Sequence, residues 1–160
     1  MARVVIDAMG GDLGIEAVIE GVADLSLESN SIQMMLVGDA DRITQELARL
    51  NHDPRAIQVT HSGDAISMDE SPGEALKQNP DCSIAVAMDV LARGEADALV
   101  SAGHTGATIM AASTRLQRLP GIRRAALAAV HPTEQRHGPK EDPFALILDV
   151  GATLNATAED

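Results

Sequence analysis

Apolar positions along the chain alternate between two patterns. Residues 2–8 form a short apolar run that ends at Gly10 and Gly11, as expected for a buried strand stopped by a tight turn. From Leu13 to Leu25 apolar side chains recur at helical spacing, which predicts an amphipathic helix ending near residues 28–30. The chain therefore opens with a strand, a glycine turn and a helix.

The same order repeats along the rest of the chain, with proline and glycine marking the ends of elements. Strands are predicted at Ile32–Val37, Ile57–Thr60, Asp97–Ser101, Ala125–Val130 and Phe144–Val150, and helices after Gly38-Asp39, from Pro72 to Asn79, from Ser83 to Arg93 and from His104 to Leu119. Segments 61–72 and 131–143 are predicted loops. This alternation indicates an α/β three-layer sandwich with a largely parallel sheet, formed by residues 1–160 as a single domain.

Composition narrows the possible functions. The net charge of −12 disfavours nucleic acid and anionic membranes, and the lone aromatic residue, Phe144, leaves no stacking surface for RNA. Cys82 is the one cysteine, which excludes an internal disulfide and favours a reducing compartment; we expect it to be a small buried side chain. No apolar run has the length of a signal segment or a membrane span. These features predict a soluble, cytoplasmic protein.

Three predicted strand ends carry glycine-bearing turns, at residues 7–12, 101–106 and 149–153. In open α/β sheets, ligands bind beyond the carboxyl ends of the strands. There, glycine lets an oxyanion approach main-chain N–H groups, and the following helix dipole favours negative charge. One such glycine could equally close a strand-to-helix turn and do nothing else. Three of them at one sheet edge favour a pocket for phosphate.

Other chemistries have less support. The first glycine turn lacks the further glycine of the dinucleotide motif, and no Gly-Lys-Ser/Thr follows a glycine turn as in a P-loop. Ser101 has no glycine two residues before it, which argues against a nucleophilic serine. His131, Glu134 and His137 are spaced three apart, but Pro132 interrupts any shared helical face. We therefore expect neither a cofactor nor a metal.

A basic cluster lies within this acidic chain and holds four of its 12 Lys and Arg residues. These side chains either project into solvent or form a cationic patch that attracts an acidic carrier protein or a lipid headgroup. The cluster consists of Arg115, Arg118, Arg123 and Arg124.

Four segments together carry a family resemblance. They are Asp-Ala-Met-Gly-Gly-Asp at 7–12, Leu-Val-Gly-Asp at 36–39, Ala-Leu-Val-Ser-Ala-Gly at 98–103 followed by Thr-Gly-Ala at 105–107, and Leu-Asp-Val-Gly-Ala at 148–152. In order and approximate spacing they resemble the phosphate acyltransferase family of glycerophospholipid synthesis. The resemblance spans all 160 residues and corresponds to the N-terminal half of the family fold. It implies an isocitrate dehydrogenase-like and phosphotransacetylase-like fold in truncated form, since family members are roughly twice this length.

The resemblance implies a specific activity. Family members transfer a fatty acyl group from acyl carrier protein to inorganic phosphate, and the acyl phosphate feeds a membrane glycerol-phosphate acyltransferase. A homodimer in peripheral contact with the inner face of the membrane is also implied. Two other functions stay open: a non-catalytic module that binds phosphate or the carrier protein, and a phosphotransacetylase-like enzyme that uses acyl-coenzyme A.

The resemblance also assigns site residues. The candidate catalytic residues are His104, as a proton or hydrogen-bond donor, with Asp7 and Asp12, which would orient the first turn. His104 stands where the family usually has asparagine, and residues 77–83 are poorer in Lys and Arg than in the family. Phosphate or oxyanion binding is expected at Gly10, Gly11, Ser101, Gly103, Thr105, Gly106 and Gly151.

Overall fold

The computed structural model describes residues 1–137 and 142–150. Two compact units are present, Met1–Leu116 and the part of the chain from Gln117 onward, and each is described by itself. The single-domain assignment of residues 1–160 stays a prediction. The elements are β1 (Ala2–Asp7), α1 (Gly14–Glu28), β2 (Ile32–Gly38), α2 (Ala40–Leu47), β3 (Ile57–His61), α3 (Pro72–Gln78), α4 (Ser83–Ala92), β4 (Ala98–Val100), α5 (Thr105–Arg115), β5 (Ala128–His137) and β6 (Asp142–Leu148).

The first unit contains a four-stranded sheet in the order β3-β2-β1-β4, and every neighbouring pair is parallel. β2 and then β3 are added on one side of β1, whereas β4 pairs with β1 on its other side. The pairing of β1 with β4 runs from Val4 opposite Ala98 to Ile6 opposite Val100. Strand order therefore reverses between β1 and β4, and their carboxyl ends lie side by side.

Side chains of β1, one of the two inner strands, point alternately towards the helices on the two faces of the sheet. Ile6 packs with Ile15 and Ile19 of α1, whereas Val5 packs with Ala87 and Val90 of α4 on the opposite face. This period of two is what a strand buried on both faces requires. Fully burying an aliphatic side chain such as Ile19 contributes about 1.5–3 kcal/mol. The predicted three-layer α/β sandwich with a parallel sheet is confirmed for the first unit.

Helix α5 ends earlier than predicted. It stops at Arg115 because Leu116 adopts extended geometry, whereas the sequence suggested continuation to Leu119. The buried face of α5 consists of Ala107 and Ala111, and the next positions at helical spacing, Thr114 and Arg118, are polar. Tertiary packing gives most helices their stability, so a helix with no further apolar face has little reason to extend.

The last two predicted strands, Ala125–Val130 and Phe144–Val150, are present with shifted bounds but do not pair with the parallel sheet of the first unit. β5 and β6 pair with each other in an antiparallel, two-stranded sheet. Much of the predicted loop 131–143 is strand, because β5 continues to His137. Only residues 138–141 separate the two strands, and a parallel connection needs a crossover of about a dozen residues or more. The short link therefore dictates a hairpin.

An ion pair joins β1 to the start of β4 at the amino end of the sheet. The Arg3 guanidinium lies 2.7 Å from Asp97 Oδ1, and the Arg3 backbone N–H donates to Asp97 Oδ2 at 2.8 Å. The side-chain hydrogen bond from Arg3, and secondarily its backbone N–H, lowers the pKa of Asp97 from 3.8 to about 2.

No helix in the described part of the chain is long and apolar enough to cross a membrane.

Candidate functional site

Two glycine turns meet at the carboxyl ends of β1 and β4. A side-chain carbon added to Gly10 would lie 2.7 Å from Gly103 Cα and 2.8 Å from Gly103 N. Gly11 has a φ of +109° and faces Ala102 of the second turn. Only glycine permits both this left-handed backbone and this close approach. The structure therefore brings together two of the three predicted turns, at the point where strand order reverses and ligands usually bind.

The carboxylate of Asp7 joins the two turns. Asp7 and Ser101 each follow the last pair of the β1–β4 ladder, Ile6 opposite Val100, and their side chains meet beyond it. Ser101 Oγ donates to Asp7 Oδ2 at 2.8 Å and accepts the Gly103 N–H at 3.1 Å. Asp7 Oδ1 accepts the N–H groups of Met9 and Gly10, both at 3.2 Å. Asp7 is 3% exposed, and its three hydrogen bonds make it an organiser of both turns.

His104 caps the amino end of α5. Its Nδ1 accepts the N–H groups of Gly106 at 3.1 Å and Ala107 at 3.4 Å, which is the usual task of an Asn, Ser or Asp side chain at this position. Because Nδ1 accepts, the network assigns the ring proton to Nε2, which lies 3.3 Å from the Glu70 carbonyl oxygen. The imidazole thus takes the hydrogen-bonding role that an asparagine side chain fills at many helix starts.

Internal hydrogen bonds already use several of the N–H groups predicted to bind phosphate. The amides of Gly10, Gly103 and Gly106 donate to Asp7, Ser101 and His104, respectively. Within the described part of the chain, the amides of Gly11 and Thr105 have no such acceptor. The predicted donors therefore divide into those that hold the turns together and those that have no acceptor among the described residues.

Sequence reasoning missed Ser83. This residue opens α4 and lines a small pocket together with Asp7, Gly10, Gly103 and His104. It is 0% exposed, and its hydroxyl has no hydrogen-bond partner. The available signal was a serine at the predicted start of a helix, just after the proline that ends α3. Its neighbour Cys82 is buried as expected, and burial raises the pKa of its thiol.

The pocket between the turns is narrow. The space open to the centres of water molecules is about 10 Å³, which is room for one water molecule. Larger depressions of about 100 and 280 Å³ lie at the amino edge of the sheet, around residues such as Gln33. They lack glycine turns and helix amino ends, the features that bind anions. We therefore assign the site to the carboxyl edge despite its smaller volume.

The remaining predicted site residues lie outside this network. Asp12 is exposed on the turn before α1 and does not line the pocket, and Gly151 lies outside the described residues. Arg115 pairs with Asp89 of α4 at 2.7 Å. In the second unit, the guanidinium of Arg118 donates to the carbonyl of Arg123. The partner-binding role of these arginines and of Arg124 stays a prediction.

The described residues contain no cluster of three or more His, Cys, Asp or Glu side chains that could hold a metal ion. His131 and Glu134 lie in β5 rather than on a helix, so helical spacing does not relate them.

Comparison with known sequences shows a consistent family. A family described as fatty acid synthesis protein matches residues 2–160. The chain is 39% identical over 152 residues to a phosphate acyltransferase of Oleidesulfovibrio alaskensis, covering 95% of this chain and 42% of the relative. It is 40% identical to one from Gloeothece citriformis, covering 97% and 42%, and 39% identical to one from Sulfurovum sp., covering 100% and 46%. The chain thus spans less than half the length of these relatives.

Proposed function

Because the chain belongs to the fatty acid synthesis protein family, we propose that it contributes the phosphate site of an enzyme that transfers a fatty acyl group from acyl carrier protein to inorganic phosphate. The relatives that bear the name phosphate acyltransferase support the acyl transfer. The observation that carries the phosphate assignment is the meeting of two glycine turns at the β1–β4 edge, beside the amino end of α5.

The reaction sets clear demands on such a site. A phosphate oxygen attacks the thioester carbonyl, the carbon–sulfur bond breaks, and the proton lost by phosphate ends on the departing thiolate. The protein must hold phosphate near the carbonyl and stabilise the oxyanion that develops there. The amides of Gly11 and Thr105, which have no internal acceptor, are suited to phosphate, since main-chain N–H groups in glycine turns and at helix starts bind oxyanions well.

The organising residues act indirectly in this proposal. Asp7 and Ser101 hold the two turns together through their shared hydrogen bonds. His104 fixes the first turn of α5. Its Nε2–H is the candidate hydrogen-bond donor to the departing thiolate, in place of the Glu70 carbonyl oxygen that it faces in the structure. Preorganised donors of this kind do not need to reorient during the reaction.

We further propose the partners that this reaction requires. Acyl carrier protein supplies the acyl group, and a membrane glycerol-phosphate acyltransferase consumes the acyl phosphate. The wider proposal is a cytoplasmic homodimer in peripheral contact with the membrane. The surface that we propose for the acidic carrier protein is the basic cluster of Arg115, Arg118, Arg123 and Arg124.

The test is an acyl transfer assay on the purified 160-residue chain. Acyl carrier protein and coenzyme A thioesters are compared as donors with inorganic phosphate, and acyl phosphate is trapped with hydroxylamine. We expect product from the carrier-protein thioester, and a large loss in Asp7→Asn but not in Asp24→Asn, an exposed control on α1. The full-length Sulfurovum sp. relative validates the assay.

Three results would contradict the proposal in different ways. Equal use of coenzyme A thioesters would favour a phosphotransacetylase-like enzyme. Phosphate binding without product would favour a non-catalytic module. If this chain neither formed product nor bound phosphate while the relative was active in the same assay, the proposed activity would be wrong for this chain.

A further inference from the structure

Ser83 is a buried side chain without a partner at the amino end of a helix. It is the first residue of α4, a helix of 10 residues. Its side chain is wholly buried and its hydroxyl makes no hydrogen bond within the described part of the chain. Leaving a buried hydroxyl unpaired is costly, and such groups are rare in native structures unless a ligand or water completes them.

The pocket in front of Ser83 is the one between the two turns. Its other polar side chains are Asp7 and His104, and both nitrogens of His104 are already engaged. The Ser83 hydroxyl is therefore the unused side-chain donor among the described residues that line the pocket. The amino end of the α4 dipole lies beside it and favours negative charge.

Asp7 supplies one further acceptor in the same pocket. A carboxylate offers about four lone-pair positions. Three are taken, because Oδ1 accepts from Met9 and Gly10 and Oδ2 accepts from Ser101. One position on Oδ2 remains. The pocket thus contains one free donor and one free acceptor, with room for one oxygen atom.

We propose that this pocket binds one protonated oxygen of inorganic phosphate, which accepts a hydrogen bond from Ser83 and donates its own proton in a hydrogen bond to Asp7. At neutral pH inorganic phosphate carries at least one proton, whereas sulfate, of the same shape, carries none. An unprotonated oxygen would meet the Asp7 carboxylate without a proton between them. The site therefore selects phosphate over sulfate. This inference rests on the proposed function and adds a binding residue and a selection rule to it.

The test measures phosphate and sulfate binding to the 160-residue chain at pH 7 by calorimetry. We expect sulfate to bind at least tenfold more weakly than phosphate, and Ser83→Ala to lower phosphate affinity about tenfold, the effect of one hydrogen bond to a charged group. Ser83→Ala should not lower the thermal midpoint, because the hydroxyl has no partner to lose.

Ser26→Ala is the matched control. Ser26 is equally buried, but its hydroxyl donates to Ala23 O and accepts the Asp53 N–H. This variant should lower the midpoint and leave phosphate affinity unchanged.

Each remaining outcome overturns a defined part. Unchanged phosphate affinity in Ser83→Ala, or equal binding of sulfate by the wild-type chain, overturns this inference and leaves the proposed acyl transfer untouched. Absence of phosphate binding by the wild-type chain overturns both this inference and the phosphate site of the proposed function.

Discussion

At the scale of single residues, the site depends on backbone proximity more than on reactive side chains. Gly10 lies so close to Gly103 that it has no space for a side chain, and a side-chain carbon added to Gly103 would lie only 3.2 Å from Gly10 Cα. Asp7 is buried against both turns and accepts donors from each. These contacts explain why an acidic residue lies inside a site proposed for an anion, because three hydrogen-bond donors already stabilise the negative charge of its carboxylate.

Gly10→Ala should destabilise the chain by about 1–3 kcal/mol, because the added methyl group meets backbone that cannot rotate away. Gly21→Ala is the control, since a side chain at this helical position has nothing within 4 Å. It should stabilise by about 0.5–1 kcal/mol. Urea unfolding measures both free energies. Equal effects from the two substitutions would contradict the close packing of the turns.

At the scale of elements, α5 begins with an unusual cap. His104 accepts two first-turn amides through Nδ1, so a ring nitrogen replaces the side-chain oxygen found at most helix starts. This substitution leaves the helix geometry intact and places an N–H donor, Nε2, next to segment 61–72. The element is therefore held at its first turn from two sides.

His104→Ala should cost about 0.5–2 kcal/mol of unfolding free energy, because two amides of α5 lose their acceptor. His104→Asn should retain stability close to that of the wild-type chain, since asparagine is a preferred residue at a helix start. Chemical denaturation gives the free energies, and amide hydrogen exchange at Gly106 and Ala107 locates the effect. Equal losses in the two variants would show that Nδ1 does not cap the helix.

Local patterns predicted most of the first unit. The apolar run of β1, the stripe of α1 and Pro72 at the start of α3 each specify an element by nearby residues alone. The location of the candidate site could be predicted from the sequence because glycines follow two of the predicted strands. The pairing of Asp7 with Ser101, 94 positions apart, depends on strand register, which periodicity does not give. The unpaired state of Ser83 depends on packing from four separate segments and has no sequence signature.

At the scale of the whole molecule, the buried core is concentrated in one part of the chain. Among the described residues, every buried hydrophobic side chain lies between Val5 and Ala111. The β5–β6 hairpin instead leaves Val130, Leu146 and Leu148 more than half exposed, and an isolated two-stranded hairpin is marginally stable at best. The first unit therefore carries the packing that stabilises the fold.

Residues 1–116 alone should fold cooperatively, with a thermal midpoint close to that of the 160-residue chain, because they contain all of the described core. Circular dichroism during heating, with phosphate added in a second series, measures the midpoint and its shift on binding. A broad transition or loss of helical signal in the shortened chain would show that the fold requires residues beyond 116.

The order of the four parallel strands has a consequence for self-association. β4 is the edge of this sheet in the first unit and is only three residues long. An unpaired edge offers free N–H and C=O groups to any other chain, but so short an edge is a poor template for aggregation. The same edge can still accept an added strand without displacing β1, β2 or β3. With a strand added there, the turn that carries Ser101 and Gly103 would lie inside the sheet rather than at its margin.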